Sequence, residues 1–238
     1  MEIDVYHKRQ IEHVYRSTEV FVDCIEEHKF VNRGRSLVLD MACGCGANTM
    51  YMANKFKDSQ FIGMDINEEF VNYGNTQIKT HCKYDNCKLF KGDWFNPDPK
   101  WTGKFDGIIS FQTLSWLPEY ETPLRCLSLI NPKWIAISSL FYEGDIDYTI
   151  KLKNYYRFSE DKEYEEMYYN IYSLKRVQKC FEKLGYNHFD FIPFNIDIDI
   201  PKTDSMDIGT YTIKTEDGKR IQISAGLMMP WYFVIASK

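Results

Sequence analysis

The sequence predicts an α/β fold in which short buried strands alternate with helices, the pattern typical of a doubly wound, mostly parallel sheet. Two observations support this prediction. Five short apolar runs, separated by helical patterns or turns, follow one another between residues 36 and 140. The first run leads directly into a glycine-containing turn at residues 40–46, and the turn opens a helix at residues 47–56. A strand, a tight turn and a helix in this order are the unit from which such sheets are built.

The turn at residues 40–46, Asp-Met-Ala-Cys-Gly-Cys-Gly, is the most informative segment of the chain. Gly44 and Gly46 permit positive φ and a close approach of a ligand to the backbone. Such a turn also presents backbone N–H groups and a helix N-terminus to the ligand. Asp40 can accept from a ligand ammonium group, directly or through water. A strand–turn–helix unit without a ligand is the alternative, because Gly-x-Gly alone is a weak signal.

Two further strands end in acids. Asp65 lies near the end of the run 61–66, about twenty residues after the glycines, the spacing at which an acid holds ribose hydroxyls. Its alternative role is to cap the helix that follows from Asn67, and the two roles are compatible. The run 87–94 ends in Gly-Asp-Trp, with Asp93 as the acid. The indole of Trp94 either covers one face of a bound ring or fills the core.

A fourth strand at residues 105–111 leads into the loop 112–118. Together, the four signals between residues 36 and 118 resemble the class I, Rossmann-like, S-adenosylmethionine-dependent methyltransferases. The resemblance implies that S-adenosyl-L-methionine is the methyl donor and S-adenosyl-L-homocysteine the product. It also implies that the donor contacts residues at the ends of the first four strands, namely Asp40, Ala42, Cys43, Gly44, Gly46, Asp65, Ile66, Asp93, Trp94, Phe111 and Gln112.

The same resemblance implies a sheet of seven strands with helices on both faces and an antiparallel last strand. Residues 1–238 then form a single methyltransferase domain. We divide it into an N-terminal helical cap (1–34), a cofactor-binding core (36–141) and a C-terminal part of the sheet (173–238).

Two insertions, after strands five and six, depart from the family pattern. Residues 142–172 are rich in tyrosine and are predicted to form a lid over the acceptor, since tyrosine combines apolar area with a polar tip. The alternative is that they pack on the domain or on another subunit. A β-hairpin at about 208–225, with Asp217-Gly218 in its turn, extends the pocket or forms the contact of a homodimer.

Composition bears on partners and location. The formal net charge of −5 argues against a nucleic-acid partner, which needs clustered Lys and Arg. No apolar run approaches the roughly eighteen residues of a membrane span. Residues 1–4 lack the form of a signal peptide, so we expect a cytoplasmic protein without a membrane partner.

The seven cysteines are an odd number and are widely spread, which suits a reducing compartment. Cys43-x-Cys45 and Cys82-x₄-Cys87 have poor spacing for zinc, and no second ligand pair accompanies them. We therefore expect no metal.

For the acceptor, the sequence favours a small molecule methylated on oxygen or nitrogen; a carbon acceptor and a sugar or sugar-nucleotide stay open. The loop after strand four lacks the Asn/Asp-Pro-Pro-Tyr of similar enzymes that act on DNA or glutamine. The predicted acceptor-binding residues are Tyr6, Trp116, Tyr142, Tyr155 and Tyr156. Tyr142 and Glu143, together with Asp145, are weak candidates for a base, and no catalytic residue is assigned.

Two other functions fit parts of the pattern. An NAD(P)-dependent oxidoreductase shares the turn and the ribose acid, but Thr49 stands where its fingerprint has a third glycine. A non-catalytic subunit that binds the donor and regulates a partner is the other alternative.

Overall fold

A sheet of eight strands forms the centre of the computed structural model, which describes residues 5–31, 35–156, 163–204 and 207–238. Within these residues there are also a three-stranded and a two-stranded sheet. In chain order the strands are β1 (Leu37–Met41), β2 (Gln60–Asp65), β3 (Cys87–Lys91), β4 (Gly107–Phe111), β5 (Trp134–Tyr142), β6 (Lys151–Asn154), β7 (Glu165–Tyr168), β8 (Tyr172–Ser173), β9 (His188–Pro193), β10 (Thr210–Lys214), β11 (Arg220–Ser224), β12 (Leu227–Met228) and β13 (Trp231–Ser237). The central order is β3-β2-β1-β4-β5-β13-β9.

The direction of the strands agrees with the predicted fold. β1 to β5 are parallel to their neighbours. β13 is antiparallel to both β5 and β9. The doubly wound, mostly parallel sheet with an antiparallel last strand is thus confirmed, and β13 lies between two strands, not at the edge.

Helices cover both faces of this sheet. They are α1 (Val5–Glu12), α2 (Arg16–Glu27), α3 (Ala47–Lys55), α4 (Glu68–His81), α5 (Glu121–Leu129) and α6 (Leu174–Lys183). Successive residues of β5 point to opposite faces. Trp134 packs in a buried cluster with Phe21 of α2 and Met52 of α3. Ile135 packs in a second cluster with Leu124 of α5 and Phe181 of α6. No helix within the described ranges has the length and apolar character needed to cross a membrane.

The first insertion lies over the end of β4. β4 pairs with β5 as far as Phe111 opposite Ser138. Beyond that point β8 pairs with β5 instead, with Tyr172 opposite Phe141. On the other edge of β5, the Phe141 N–H donates to the Pro230 carbonyl. β8 therefore occupies the place that β4 leaves beside β5. The rest of this insertion contains the β6–β7 hairpin, and its residues 157–162 lie outside the described ranges.

The second insertion, between β9 and β13, contains the expected hairpin. β10 and β11 pair in antiparallel register from Thr210 opposite Ser224 to Lys214 opposite Arg220. The structure adds the short strand β12, which pairs with β11. The insertion is therefore a three-stranded sheet that extends past the predicted limit at residue 225.

Candidate functional site

The glycine turn joins β1 to α3 at the carboxyl edge of the parallel strands. Ala42, Gly44 and Gly46 have positive φ angles of 59°, 55° and 77°. A Cβ atom on Gly46 would lie 2.6 Å from Cδ1 of Leu89 in β3. Position 46 therefore requires glycine both for its left-handed backbone and for the close approach to Leu89.

Asp65 holds the turn in place from the end of β2. Its Oδ2 accepts from the Gly44 N–H at 2.8 Å, and its Oδ1 accepts from the Asn67 N–H at 2.9 Å. The N-cap of α4 is Asn67, whose side chain accepts from the N–H groups of Glu69 and Phe70. The capping role considered for Asp65 is thus wrong, because Asn67 performs it. Each carboxylate oxygen of Asp65 keeps a further lone pair for a ligand hydroxyl.

Asp40 lies beneath the turn and is 1% exposed. Its Oδ2 accepts from the Thr49 hydroxyl at 2.6 Å. Its Oδ1 has no hydrogen-bond partner among the described residues. Burial raises the pKa of Asp40 to about 7, although the bond from Thr49 opposes the shift. Burial also raises the pKa of the neighbouring Cys43 thiol.

The ends of β2 and β3 contribute an exposed apolar side chain and an acid. Ile66 is 66% exposed directly after Asp65. Asp93 accepts from the Phe95 N–H at 2.9 Å. Trp94 is buried in the core, and its indole Nε1 donates to the Pro123 carbonyl at 2.9 Å. The indole therefore fills the core, and the alternative in which it covers a bound ring is wrong for this side chain.

Gln112 follows β4 at the same edge with a φ of 59°. Its Nε2 donates to the Ser17 hydroxyl at 3.2 Å. Phe111 packs edge-on against Phe21, with ring centroids 5.3 Å apart. The N-terminal helix α2 is therefore fixed against the end of β4, beside the glycine turn.

The N-terminal helix α1 covers the turn. A Cβ atom on Gly44 would lie 3.1 Å from Nε2 of His7. The His7 ring also contacts the Phe70 ring of α4, with centroids 4.2 Å apart, and the ring of Tyr6 at 5.3 Å. The sequence singled out Tyr6 in this helix and missed His7. No local signal marks His7, because only the tertiary packing of α1 brings it to Gly44.

Asn170 connects the first insertion to the loop after β4. This residue is fully buried. Its Nδ2 donates to the Leu117 carbonyl at 2.9 Å and lies 2.9 Å from the Tyr172 hydroxyl. Its Oδ1 accepts from the Ile150 N–H at 2.9 Å. The loop and the insertion are therefore held together at the end of β4.

Trp116 is the predicted acceptor residue that this arrangement places at the end of β4. Its ring is 37% exposed and stacks on Tyr169, with centroids 4.6 Å apart. Tyr169 is buried, and its side chain hydrogen-bonds with that of Ser224 in β11. The two insertions therefore meet behind Trp116.

The weak candidates for a base already have partners. Glu143 accepts from the Tyr232 hydroxyl at 2.7 Å. Burial, together with this carboxylate, raises the pKa of Tyr232 to about 12. Asp145 pairs with Arg176 at 2.9 Å. Tyr142 is half-exposed and packs edge-on against Tyr148. None of these three side chains is therefore assigned as a catalytic base.

The remaining predicted acceptor residues lie on the insertion. Tyr155 and Tyr156 are exposed at the tip of the β6–β7 hairpin. Within the described ranges, all seven cysteines are free thiols, and no group of three or more His, Cys, Asp or Glu side chains could hold a metal ion.

Comparison with known proteins agrees with this geometry. Residues 38–130 match the family model of a methyltransferase domain, which spans β1 to the end of α5 and includes Asp65. The uncharacterized protein RP028 of Rickettsia prowazekii is 30% identical over 105 residues, which are 43% of this chain and 41% of that protein. (S)-Coclaurine N-methyltransferase of Papaver somniferum is 28% identical over 121 residues, which are 51% of this chain and 32% of that protein. The chain thus matches less than half the length of either relative.

Among solved structures, magnesium protoporphyrin IX methyltransferase from Synechocystis with bound S-adenosylhomocysteine has a TM-score of 0.54 at 11% identity, over 100% of this chain and 90% of that chain. At this identity the likeness concerns the fold. The methyltransferase-domain match over residues 38–130, together with this sheet and its strand order, agrees with the predicted resemblance to the class I (Rossmann-like) S-adenosylmethionine-dependent methyltransferases.

Proposed function

We propose that this chain transfers a methyl group from S-adenosyl-L-methionine to oxygen or nitrogen of a small-molecule acceptor. The observation that carries the proposal is the bond from the Gly44 N–H to the Asp65 carboxylate at the carboxyl edge of the sheet. This bond joins the glycine turn to the acid that would hold the donor's ribose. Ligands of open α/β sheets bind at this edge.

The residues at this edge fit the donor. Asp65 keeps lone pairs for two hydroxyls while its present bonds fix its orientation. Exposed Ile66 offers an apolar surface beside it for a flat ring. Asp40 retains one unpartnered carboxylate oxygen beneath the turn, which suits the donor's ammonium group through water. When bound, the donor supplies a methyl group already activated by its sulfonium.

Thr49 argues against a nicotinamide dinucleotide in the same place. The dinucleotide fingerprint has its third glycine here for close packing of helix and strand. In this chain the position is filled by a fully buried threonine whose hydroxyl donates to Asp40. The oxidoreductase alternative is therefore not favoured.

The contacts of the first insertion support a small acceptor. Asn170 holds the loop 112–118 against the insertion over the end of β4, so an acceptor near Trp116 is bounded on two sides. The chain's task is then to orient the acceptor for in-line attack and to exclude water. The relative named for N-methylation of coclaurine supports an amine as one acceptor class. No proton acceptor is assigned, because Glu143 and Asp145 are both paired.

Donor binding tests the proposal through Asp65. We expect Asp65→Ala to weaken binding of S-adenosyl-L-homocysteine, measured by calorimetry, by about 1–3 kcal/mol, because buried ligand hydroxyls lose their acceptor. Asp58→Ala is the matched control, since Asp58 is exposed and precedes β2 at its opposite end. Unchanged binding in a folded Asp65→Ala protein would remove Asp65 from the site.

A methyl-transfer assay tests the catalytic activity and the class of acceptor. Labelled S-adenosyl-L-methionine is incubated with the protein and a cell extract, which is then separated into small-molecule, protein and nucleic-acid fractions. Label in the small-molecule fraction supports the proposal, whereas label only in macromolecules overturns the acceptor class. Tight donor binding with no transfer, restored by a second protein, would favour the non-catalytic subunit. Fluorescence enhancement of NADH would favour the oxidoreductase.

A further inference from the structure

One face of the sheet β10–β12 presents apolar side chains to solvent. The register places Tyr211 opposite Ile223 and Ile213 opposite Ile221, while Ile223 lies opposite Met228 of β12. Side chains alternate along a strand, so these five residues share one face, which we call the outer face. Ile213, Ile221 and Met228 are 49%, 36% and 59% exposed.

The opposite face of this sheet packs on the rest of the molecule. Ser224 is fully buried and hydrogen-bonds with Tyr169 of the first insertion. Leu227, opposite Ser224 in the register, packs against the buried cluster that contains Trp134. Thr210 also belongs to this inner face and donates its hydroxyl to Ser224 at 3.4 Å.

The polarity of the sheet is therefore largely inverted. An antiparallel sheet with one face in water normally turns its apolar side chains inward and its polar ones outward. Here Thr210, Thr212, Gln222 and Ser224 share the inner face, and the isoleucines lie outside. An exposed apolar cluster of this kind, on an ordered sheet, marks a surface that another molecule covers.

The charges around the outer face favour a second copy of the same chain. Lys202 lies at one end, with its Nζ 5.4 Å from the centroid of the Tyr211 ring. Glu216 is exposed at the other end, in the turn between β10 and β11. If two outer faces meet about a two-fold axis with their strands antiparallel, Lys202 of each copy meets Glu216 of the other. A two-fold contact requires self-complementarity of this kind.

An anionic membrane fits the surface less well. Such a membrane attracts clusters of Lys and Arg. The tip of the hairpin carries basic residues next to acids, and two of them are paired, Lys219 with Asp217 at 3.0 Å and Arg220 with Asp199 at 2.7 Å. The net charge of the whole chain is −5.

We propose that the outer face of β10–β12 is the contact surface of a two-fold symmetric homodimer. The inference does not depend on the methyltransferase activity. Five side chains form a small apolar centre compared with the about 800 Å² that each partner of a standard interface buries. The dimer is accordingly of micromolar strength, on the order of 1–100 µM, and dissociates on dilution.

Sedimentation velocity over about 1–100 µM protein tests this proposal. We expect the wild-type protein to change from monomer to dimer across this range. Ile213→Lys combined with Ile221→Glu should weaken the association at least tenfold, because it replaces the apolar centre. These two positions lie opposite each other, so the introduced charges pair across the strands and preserve the hairpin. Leu129→Lys is the matched control, an exposed apolar residue on α5 that is expected to leave the dimer unchanged.

Reversing the charges of Lys202 and Glu216 tests the two-fold arrangement. Lys202→Glu should weaken association, and adding Glu216→Lys to it should restore association by reversing both ends. Circular dichroism melting of each variant checks that it is folded. A wild-type protein that stays monomeric across the whole range would overturn the proposal, and so would a folded Ile213→Lys, Ile221→Glu protein that associates like the wild type. Failure of the reversed pair to restore association would overturn the two-fold geometry.

Discussion

Thr49 donates its hydroxyl to Asp40 at 2.6 Å beneath the glycine turn. The other carboxylate oxygen of Asp40, Oδ1, has no hydrogen-bond partner among the described residues. A single hydroxyl does not offset the loss of water around a carboxylate, so burial raises the pKa of Asp40 to about 7. The donor-free protein therefore carries Asp40 partly protonated near neutral pH.

We predict that Asp40 makes stability fall as pH rises. The group's pKa is about 7 in the folded chain and 3.8 in its ordinary state, so the folded state binds more protons between these values. Its contribution to the free energy of unfolding is fully present below about pH 4, falls as pH rises from there through about 7, and is constant above that. The full effect is on the order of 4 kcal/mol.

Asp40→Asn checks this prediction, because asparagine stays neutral and still accepts from Thr49. Urea unfolding at pH 5 and pH 8, without donor, should show a smaller loss of stability in the variant than in the wild type. If both proteins lose the same amount, Asp40 is ionised in the fold and the prediction is wrong.

Gly46→Ala should destabilise the protein by about 2–5 kcal/mol. Alanine pays about 1–2 kcal/mol for the left-handed backbone and a further 1–3 kcal/mol for overpacking. The overpacking arises because the added Cβ would lie 2.6 Å from Leu89. The free energy of unfolding in urea is the measurement.

Gly218→Ala separates the two contributions to this cost. Gly218 has a similar φ of 81°, and a Cβ there would meet no atom within 4 Å. We expect it to cost the backbone part alone. Equal losses for both variants would show that Leu89 moves aside without cost.

The sequence predicted those parts of the fold that local patterns determine. The helix α3, the strand β4 and the β10–β11 hairpin lie within the residues predicted for them, since a helical pattern, an apolar run and an Asp-Gly turn mark them. The β6–β7 hairpin was not separated within the insertion 142–172, because tyrosines among charges have no clear period. At the candidate site, Asp65 was predicted from its spacing. His7 and Asn170 were not, since only tertiary contacts bring them there.

His7 should contribute to donor binding through its position over the glycine turn. A ligand on Gly44 meets the imidazole, which is held between the turn and Phe70. We expect His7→Ala to weaken binding of S-adenosyl-L-homocysteine by about 1 kcal/mol, roughly fivefold. His13→Ala is the matched control, because His13 is exposed just after the same helix. Identical dissociation constants for both variants would show that α1 covers the turn without touching the donor.

Asn170 should affect methyl transfer more than donor binding. Asn170→Ala leaves the Ile150 N–H without its side-chain partner, at about 1–3 kcal/mol for an unpaired buried group. It also removes one of the bonds to the Leu117 carbonyl, to which the Tyr172 hydroxyl still donates. The loop 112–118 is then held to the insertion less firmly, by the Tyr172 hydroxyl and by the backbone bond from residue 170 to the Ser115 carbonyl, while the glycine turn is not altered. We therefore expect a lower melting temperature, a reduced rate of transfer and a nearly unchanged donor dissociation constant.

Asn154→Ala is the control for a general loosening of the insertion. Asn154 lies on the same insertion, and its side chain bonds Asp207 and the Tyr156 N–H instead of the loop after β4. A general loosening of the insertion would affect both variants alike. A loss of methyl transfer confined to Asn170→Ala would locate the acceptor between the loop 112–118 and the segment around Tyr169. Asn170 bonds this loop, whereas Asn154 does not.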